Sequence, residues 1–310
     1  MSTTDLTRNS AFQMSRGFIK MCHTLFGAVP LMRDFIPERM TGLLLTPRAG
    51  KYVVPTQWKA GIVVNPVEGG IVEKHLYRWG SYETGMQRLI ERLVHSGDTF
   101  VDVGANVGAT TVVAAMCVGP QGRVHAFEPV ATTAALLRET IAYNHFQHVT
   151  LHEMALGSAR QLAAIFGSLN EVNRGGNSLN PTGHAEAIQT DVQVQRMDEV
   201  LSVEDWKKVT VMKIDVEEFE LEVLKGAQGL FASGHLPAII VEYARDRNEK
   251  AAELFAFLRA LPNARLCKMR YTKRAEGPLV EVKAESELPD FDNLVVLPNS
   301  MAQRVKVISR

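Results

Sequence analysis

Hydrophobic and polar positions along this chain follow two alternating periods, and each switch marks an element. Tyr52-Val53-Val54 and Ile62-Val63-Val64 are short β-branched runs bounded by Pro and Gly, which predicts two strands. From Ser81 to Val94, apolar residues at Met86, Leu89, Ile90, Leu93 and Val94 keep helical spacing, and Gly97 stops the run. A regular exchange then begins. Strands are predicted at Thr99–Val103, Arg123–Phe127, Val149–Met154, Val209–Val216 and Ala238–Tyr243. Helices are predicted at Gly108–Val118, Ala131–Tyr143, Phe219–Ala227 and Asn248–Leu261, with a last strand pair at 266–271 and 294–297. Continuous apolar strands are buried on both faces, and the helices between them are βαβ crossovers, so an α/β fold with a mainly parallel sheet is expected.

Two stretches break the rhythm. Residues 1–48 read as a helical or irregular extension, interrupted by Pro30, Pro37 and Pro47. It is expected to pack on the body or to make a homo-oligomer contact. Residues 157–195 hold Gly167, Gly175, Gly176, Pro181 and Gly183 and are too long for a plain connection, which suits a lid or binding loop. The organisation expected is the extension at 1–48, lead-in strands and a helix at 49–98, and the main domain at 99–310.

Composition narrows the function classes. The 34 basic and 34 acidic side chains leave zero net charge, which weighs against tracking long nucleic acid and favours a small or weakly charged acceptor. Three distant cysteines, with no CxxC pair and no signal-peptide pattern, are expected to be free thiols of a cytoplasmic protein. No run of about 20 apolar residues reads as a transmembrane segment.

The strongest chemical signal is Phe100-Val101-Asp102-Val103-Gly104-Ala105-Asn106-Val107-Gly108, which leaves a strand and opens a helix. Glycines there allow a tight turn and close approach of a ligand beyond the carboxyl ends of the strands. A dinucleotide fingerprint would carry a glycine where Asn106 stands, and the Asp102 carboxylate would repel a pyrophosphate. A ligand with an ammonium and a sulfonium, S-adenosylmethionine, fits better. Glu128, in Phe127-Glu128-Pro129, follows Gly108 by 20 residues, about the interval at which an acid meets the ribose of an adenosine ligand. Glu153 and Ala155 close the third strand, near where adenine would lie. Tyr82 and Glu83 precede the first strand of the alternation and either cover the methionine end of the cofactor or cap the next helix.

These segments resemble the FkbM family of class I S-adenosylmethionine-dependent methyltransferases. The resemblance is carried by FVDVGANVG at 100–108, RVHAFEP at 123–129, ALG at 155–157, MKIDVEEFELEVLKGA at 212–227 and the lead-in WGSYE at 79–83. It implies a Rossmann-like, doubly wound, seven-stranded sheet with one antiparallel strand, and methyl transfer to a hydroxyl of a sugar, glycolipid or secondary metabolite. The family usually carries Gly where this chain has Glu218, a departure that bears on substrate fit.

An alcohol becomes a good nucleophile when a base takes its proton. Asp215 and Glu217 leave the fourth strand at the ligand end and are expected in the pocket, one of them accepting the proton or orienting the hydroxyl. Asp215 also counts as a cofactor contact. Glu218 and Glu222 read as ordinary acids near a helix N-terminus. Glu242 is expected to meet the substrate; together with Asp215 it also suits a divalent metal, a reading set behind the metal-free one. Asn177 and Ser178 in the long loop suit a polyhydroxylated acceptor, and His184 is a second candidate base. The spacing of His145, His148 and His152 gives little reason to expect zinc. Two rival readings are an NAD-dependent oxidoreductase and a non-catalytic cofactor-binding interaction module.

Overall fold

The computed structural model describes residues 3–6, 10, 12–17, 21, 45–167, 179, 186–245, 250–269 and 278–308. The contacts of the described residues divide into two compact units, one up to Tyr82 and one from Glu83.

In the first unit, β1 (Thr4–Asp5) runs parallel to β2 (Tyr52–Pro55), which pairs antiparallel with β3 (Gly61–Val64). The β-branched runs make these strands because their side chains suit a pleated surface. Helix α1 (Ile71–Trp79) buries Val72, Leu76 and Tyr77, and the left-handed Gly80 ends it. Tyr77 meets the rings of Phe12 and Tyr52 at 5.2 and 5.1 Å.

The second unit opens with α2 (Thr84–Leu93), whose apolar stripe is buried. Among the described residues its main sheet has nine strands, built around β4 (Thr99–Val103), β5 (Arg123–Phe127), β6 (Val149–His152), β10 (Val209–Ile214) and β11 (Ala238–Ala244). These five are parallel in the order β6-β5-β4-β10-β11. Next to β11 lies the antiparallel β14 (Phe291–Pro298), followed by β12 (Ala264–Lys268). Those seven strands, with β14 reversed, are the expected sheet. Two short strands, β13 (Leu279–Glu281) and β15 (Val307–Ile308), lengthen its edge to nine. They were missed because each is too short to show a periodic pattern.

Crossover helices α3 (Ala109–Val118), α4 (Ala131–Tyr143) and α5 (Ala251–Ala260) connect the strands as the pattern predicts. Helix α3 is apolar almost all round and buries eight of its ten residues. Val101, Phe127, Met212, Ile239 and Leu294 join one buried core with Trp206 and Leu254.

Residues 157–195 are less irregular than expected. A separate three-stranded sheet forms from β7 (Ala155–Leu156), β8 (Gln161–Gly167) and β9 (Glu186–Gln195), in the order β7-β9-β8. It buries Ala155, Ile165, Val192 and Val194 beside Val130. Between β8 and β9, only Leu179 belongs to the described residues. Among the described residues, no helix is long and apolar enough to cross a membrane.

Candidate active site

The strand sequence reverses between β4 and β10, since β5 and β6 lie on one side of β4 and β11 on the far side of β10. Ligands of open α/β sheets sit beyond the carboxyl ends of the strands at such a point. Here the Asp215 amide, just past β10, donates to the Val103 carbonyl at the end of β4 at 3.0 Å.

The turn after β4 is held in a conformation that only certain residues tolerate. Gly104, Asn106 and Gly108 have φ of 81, 52 and 98°. A side chain at Gly104 would overlap the Asp215 carbonyl, and one at Gly108 would stand 2.7 Å from Leu137. Asn106 is among the non-glycine residues that accept the left-handed region most readily. Every amide of this turn is engaged. Gly104 and Ala105 both donate to Phe127 O, and Gly108 to Ala105 O. Asn106 N donates to Glu128 Oε2 and Val107 N to the Asn106 side chain. A pyrophosphate bound at a helix N-terminus needs unengaged N–H groups, and this turn offers it none.

What the site does offer is acceptors. Asp102 is wholly buried, one residue inside β4 rather than at its open end. Its Oδ2 accepts from Thr111 Oγ1 at 2.6 Å, while its Oδ1 has no partner. Burial raises its pKa, opposed by Lys213 and the Thr111 hydrogen bond. Lys213, opposite Asp102 on β10, is buried and sits 2.9 Å from Asp215 Oδ2. Glu83, exposed and left-handed (φ 49°) just before α2, acts electrostatically on Asp215 and Lys213. Lys213 was not expected from the pattern. The signal was available: a lysine inside a run that otherwise reads as a strand buried on both faces needs charged partners.

Glu128 is buried at the end of β5, and its two oxygens accept the amides of Asn106 and Val130, each at 2.9 Å. Burial pushes its pKa up to about 7 against those two bonds. The following Pro129 gives its carbonyl to Gln189 Nε2, and Gln189 Oε1 takes the Ala131 amide, so β9 clamps this turn. Ala155 is buried in β7, whereas Glu153 is exposed and paired with Arg138. Tyr82 ends the first unit, edge-on to His75 at 5.6 Å.

Past β10, one carboxylate oxygen each of Asp215, Glu217 and Glu242 comes within 4.8 Å of the others, an arrangement that suits a shared hydroxyl or a hard cation. The backbone between strand and helix is left-handed at Glu217 (φ 52°) and Glu218 (φ 75°). Glu218 therefore occupies a glycine-type conformation. Glu220, 2% exposed, accepts the amides of Val216 and Glu218, and burial pushes its pKa up to about 8. Glu222 belongs to a separate knot with Ser158, Lys225 and Lys250, whose hydrogen bonds outweigh burial and lower it to about 2.

His184, Asn177 and Ser178 lie outside the described residues. The three spaced histidines do not converge: His148 bonds to Ala115 O, and His152 pairs with His125 at 3.2 Å.

A doubly wound sheet in this strand order, with its acceptor-lined crevice, is that of a class I methyltransferase. The model of the methyltransferase FkbM domain matches residues 102–271, more than half of the chain. The chain belongs to the FkbM family of S-adenosylmethionine-dependent methyltransferases. No curated protein matches it. Among solved structures, it is similar to a protein assigned as an rRNA methylase from Clostridium thermocellum (16% identity, 70% of this chain, 95% of that one, TM-score 0.42). It is also similar to the O-methyltransferase of Bacillus cereus in complex with S-adenosylhomocysteine (12%, 70% and 81%, TM-score 0.39). A third is an S-adenosylmethionine-dependent O-methyltransferase from Thermotoga maritima (13%, 70% and 66%, TM-score 0.38).

Proposed function

We propose that the chain binds S-adenosylmethionine at the β4–β10 crevice and methylates a hydroxyl oxygen of a small acceptor, such as a sugar, glycolipid or secondary metabolite. The observation that carries the cofactor reading is the turn at 104–108. Its amides are spent within the protein, while Asp102, with one oxygen unpaired, and Asp215 beside it supply acceptors and negative charge. That donor–acceptor balance fits a phosphate-free ligand bearing cations, hydroxyls and an amino group, and it disfavours a nicotinamide dinucleotide. When bound, S-adenosylmethionine supplies a methyl group on a positively charged sulfur.

The chain's own part is to hold the acceptor in line and to take its proton. Asp215 and Glu217 are the groups for this, since both stand at the strand end in one carboxylate cluster with Glu242. The acceptor oxygen would bond to the methyl carbon as the methyl–sulfur bond breaks, leaving S-adenosylhomocysteine as a neutral thioether, and the hydroxyl proton would pass to one of these carboxylates. Fixing the two reactants in attack geometry contributes much of the rate. Zero net charge supports a small acceptor over a polyanion.

Calorimetric titration of the full chain with S-adenosylhomocysteine tests the reading, with NADH as the comparison. Binding of the first and not the second is expected. An absence of S-adenosylhomocysteine binding, or a preference for NADH, would overturn it. A methyl-transfer assay against sugars, glycolipids and secondary metabolites, followed by mass spectrometry, then identifies the acceptor.

A further inference from the structure

Among the described residues, Lys213 is a buried cation at the crevice that the proposed reaction does not use. Lys213 lies in the apolar run of β10, with its side chain 7% exposed and Nζ 2.9 Å from Asp215 Oδ2. Asp102 stands opposite on β4, and the charges of Asp102 and Glu83 also act on the ammonium, while Asp215 is the carboxylate in contact with it. A lysine taken out of water tends to lose its proton. Here Asp215, Asp102 and Glu83 together outweigh that effect and keep it charged. Such a lysine is a poor base and a firm anchor. Exposed ion pairs contribute little because water and side-chain freedom compete with them. This pair has one partner almost wholly enclosed and the other 31% exposed, so the geometry is held from the buried side.

Asp215 is thus fixed twice. Its amide is tied to Val103 O across the strand junction, and its Oδ2 is tied to Lys213. We infer that Lys213 is a positioning residue for Asp215, holding the carboxylate in one orientation at the crevice with Oδ1 presented as the acceptor. The inference rests on the cofactor reading above, in which Asp215 meets the cofactor. Lys213 itself touches no reacting atom. It acts through Asp215, and it offsets the charge that Asp102 and Glu83 add to the same place.

A double-mutant cycle on S-adenosylhomocysteine affinity, read by calorimetry on the full chain, tests this. Lys213→Met is expected to weaken binding about tenfold, the scale of one lost charge-assisted contact. Lys213→Arg should restore affinity to within about threefold of the wild type, because the guanidinium keeps the charge and donors. In an Asp215→Asn background, Lys213→Met should change affinity by less than about twofold, since two residues acting as one unit are not additive. Melting curves report whether each variant folds; if Lys213→Met does not, Lys213→Gln, which keeps a donor and drops the charge, takes its place in the cycle. Equal losses in both backgrounds, no loss in either, or no rescue by arginine would overturn the proposal. A wild type that binds no S-adenosylhomocysteine would overturn the cofactor reading itself, before any variant is made.

Discussion

Glu128 Oε2 accepts the Asn106 amide at 2.9 Å, so the end of β5 holds the glycine turn that follows β4. The other oxygen holds the Val130 amide at the start of α4. One buried carboxylate therefore fixes two loops on the same side of the crevice. Glu128→Ala leaves both amides without an acceptor, and each buried orphan costs about 1–3 kcal/mol. Urea denaturation should show a loss of about 2–4 kcal/mol, with roughly half of it recovered in Glu128→Gln, which keeps one acceptor. S-adenosylhomocysteine binding should disappear in the alanine variant. An alanine variant of wild-type stability and affinity would refute this role.

Among the described residues, Thr111 is the sole hydrogen-bond donor to the Asp102 carboxylate, at 2.6 Å in a fully buried setting. Thr111→Val keeps the shape and removes the donor. It should cost about 2–3 kcal/mol, the upper part of the range for a bond to a charged group. Because the second oxygen already lacks a partner, part of that loss should return when S-adenosylhomocysteine is added. Thermal melts with and without ligand measure both effects. A valine variant that melts like the wild type would count against the assignment.

Glu218 sits at φ 75°, where β-carbon contacts penalise most residues. Its amide bond to Glu220 comes from the backbone and survives substitution. Glu218→Gly should relieve strain beyond its cost in chain entropy, for a net gain of about 0.5–1 kcal/mol. That corresponds to a rise in melting temperature of about 1–2 °C. A fall in melting temperature would show that the glutamate side chain itself holds this turn.

His152 lies flat against Phe127 (ring centroids 4.4 Å, 11° between planes) and meets His125 at 3.2 Å. Burial, then the His125 charge, lowers its pKa from 6.5 to about 4. The unfolded chain thus takes up a proton near pH 6.5 that the folded chain refuses until about pH 4. Stability from this residue is present above pH 6.5 and is lost as pH falls toward 4. His152→Phe keeps the stack and removes the titration. Its unfolding free energy should decline less steeply than that of the wild type between pH 6.5 and 4.5 in urea titrations. Identical slopes would assign the decline to other groups.

Much of this molecule was legible from local pattern. The helices and the long strands are set by the spacing of apolar residues, and the turn at 104–108 by its glycines, of which Gly104 passes too close to the Asp215 carbonyl for any side chain. The family followed from those same segments. The pairing of β8 with β9 was harder to see, because it joins residues far apart in sequence across an irregular register. Lys213 was overlooked for a related reason: its meaning lies in groups that come from the residue before α2, from β4 and from just past β10, and spacing along one strand cannot show them.

Sequence by itself determined the elements, their parallel arrangement and the chemical character of the crevice, because periodicity, turn residues and charge are local properties. Tertiary structure decided which groups are spent and which remain available. It turned Glu128 into a clamp on two amides, buried Asp102 with one oxygen unpaired, separated Glu222 from Glu217, and set Lys213 among three carboxylates. Those outcomes depend on desolvation and on contacts between distant segments, and both exist only once the sheet has closed.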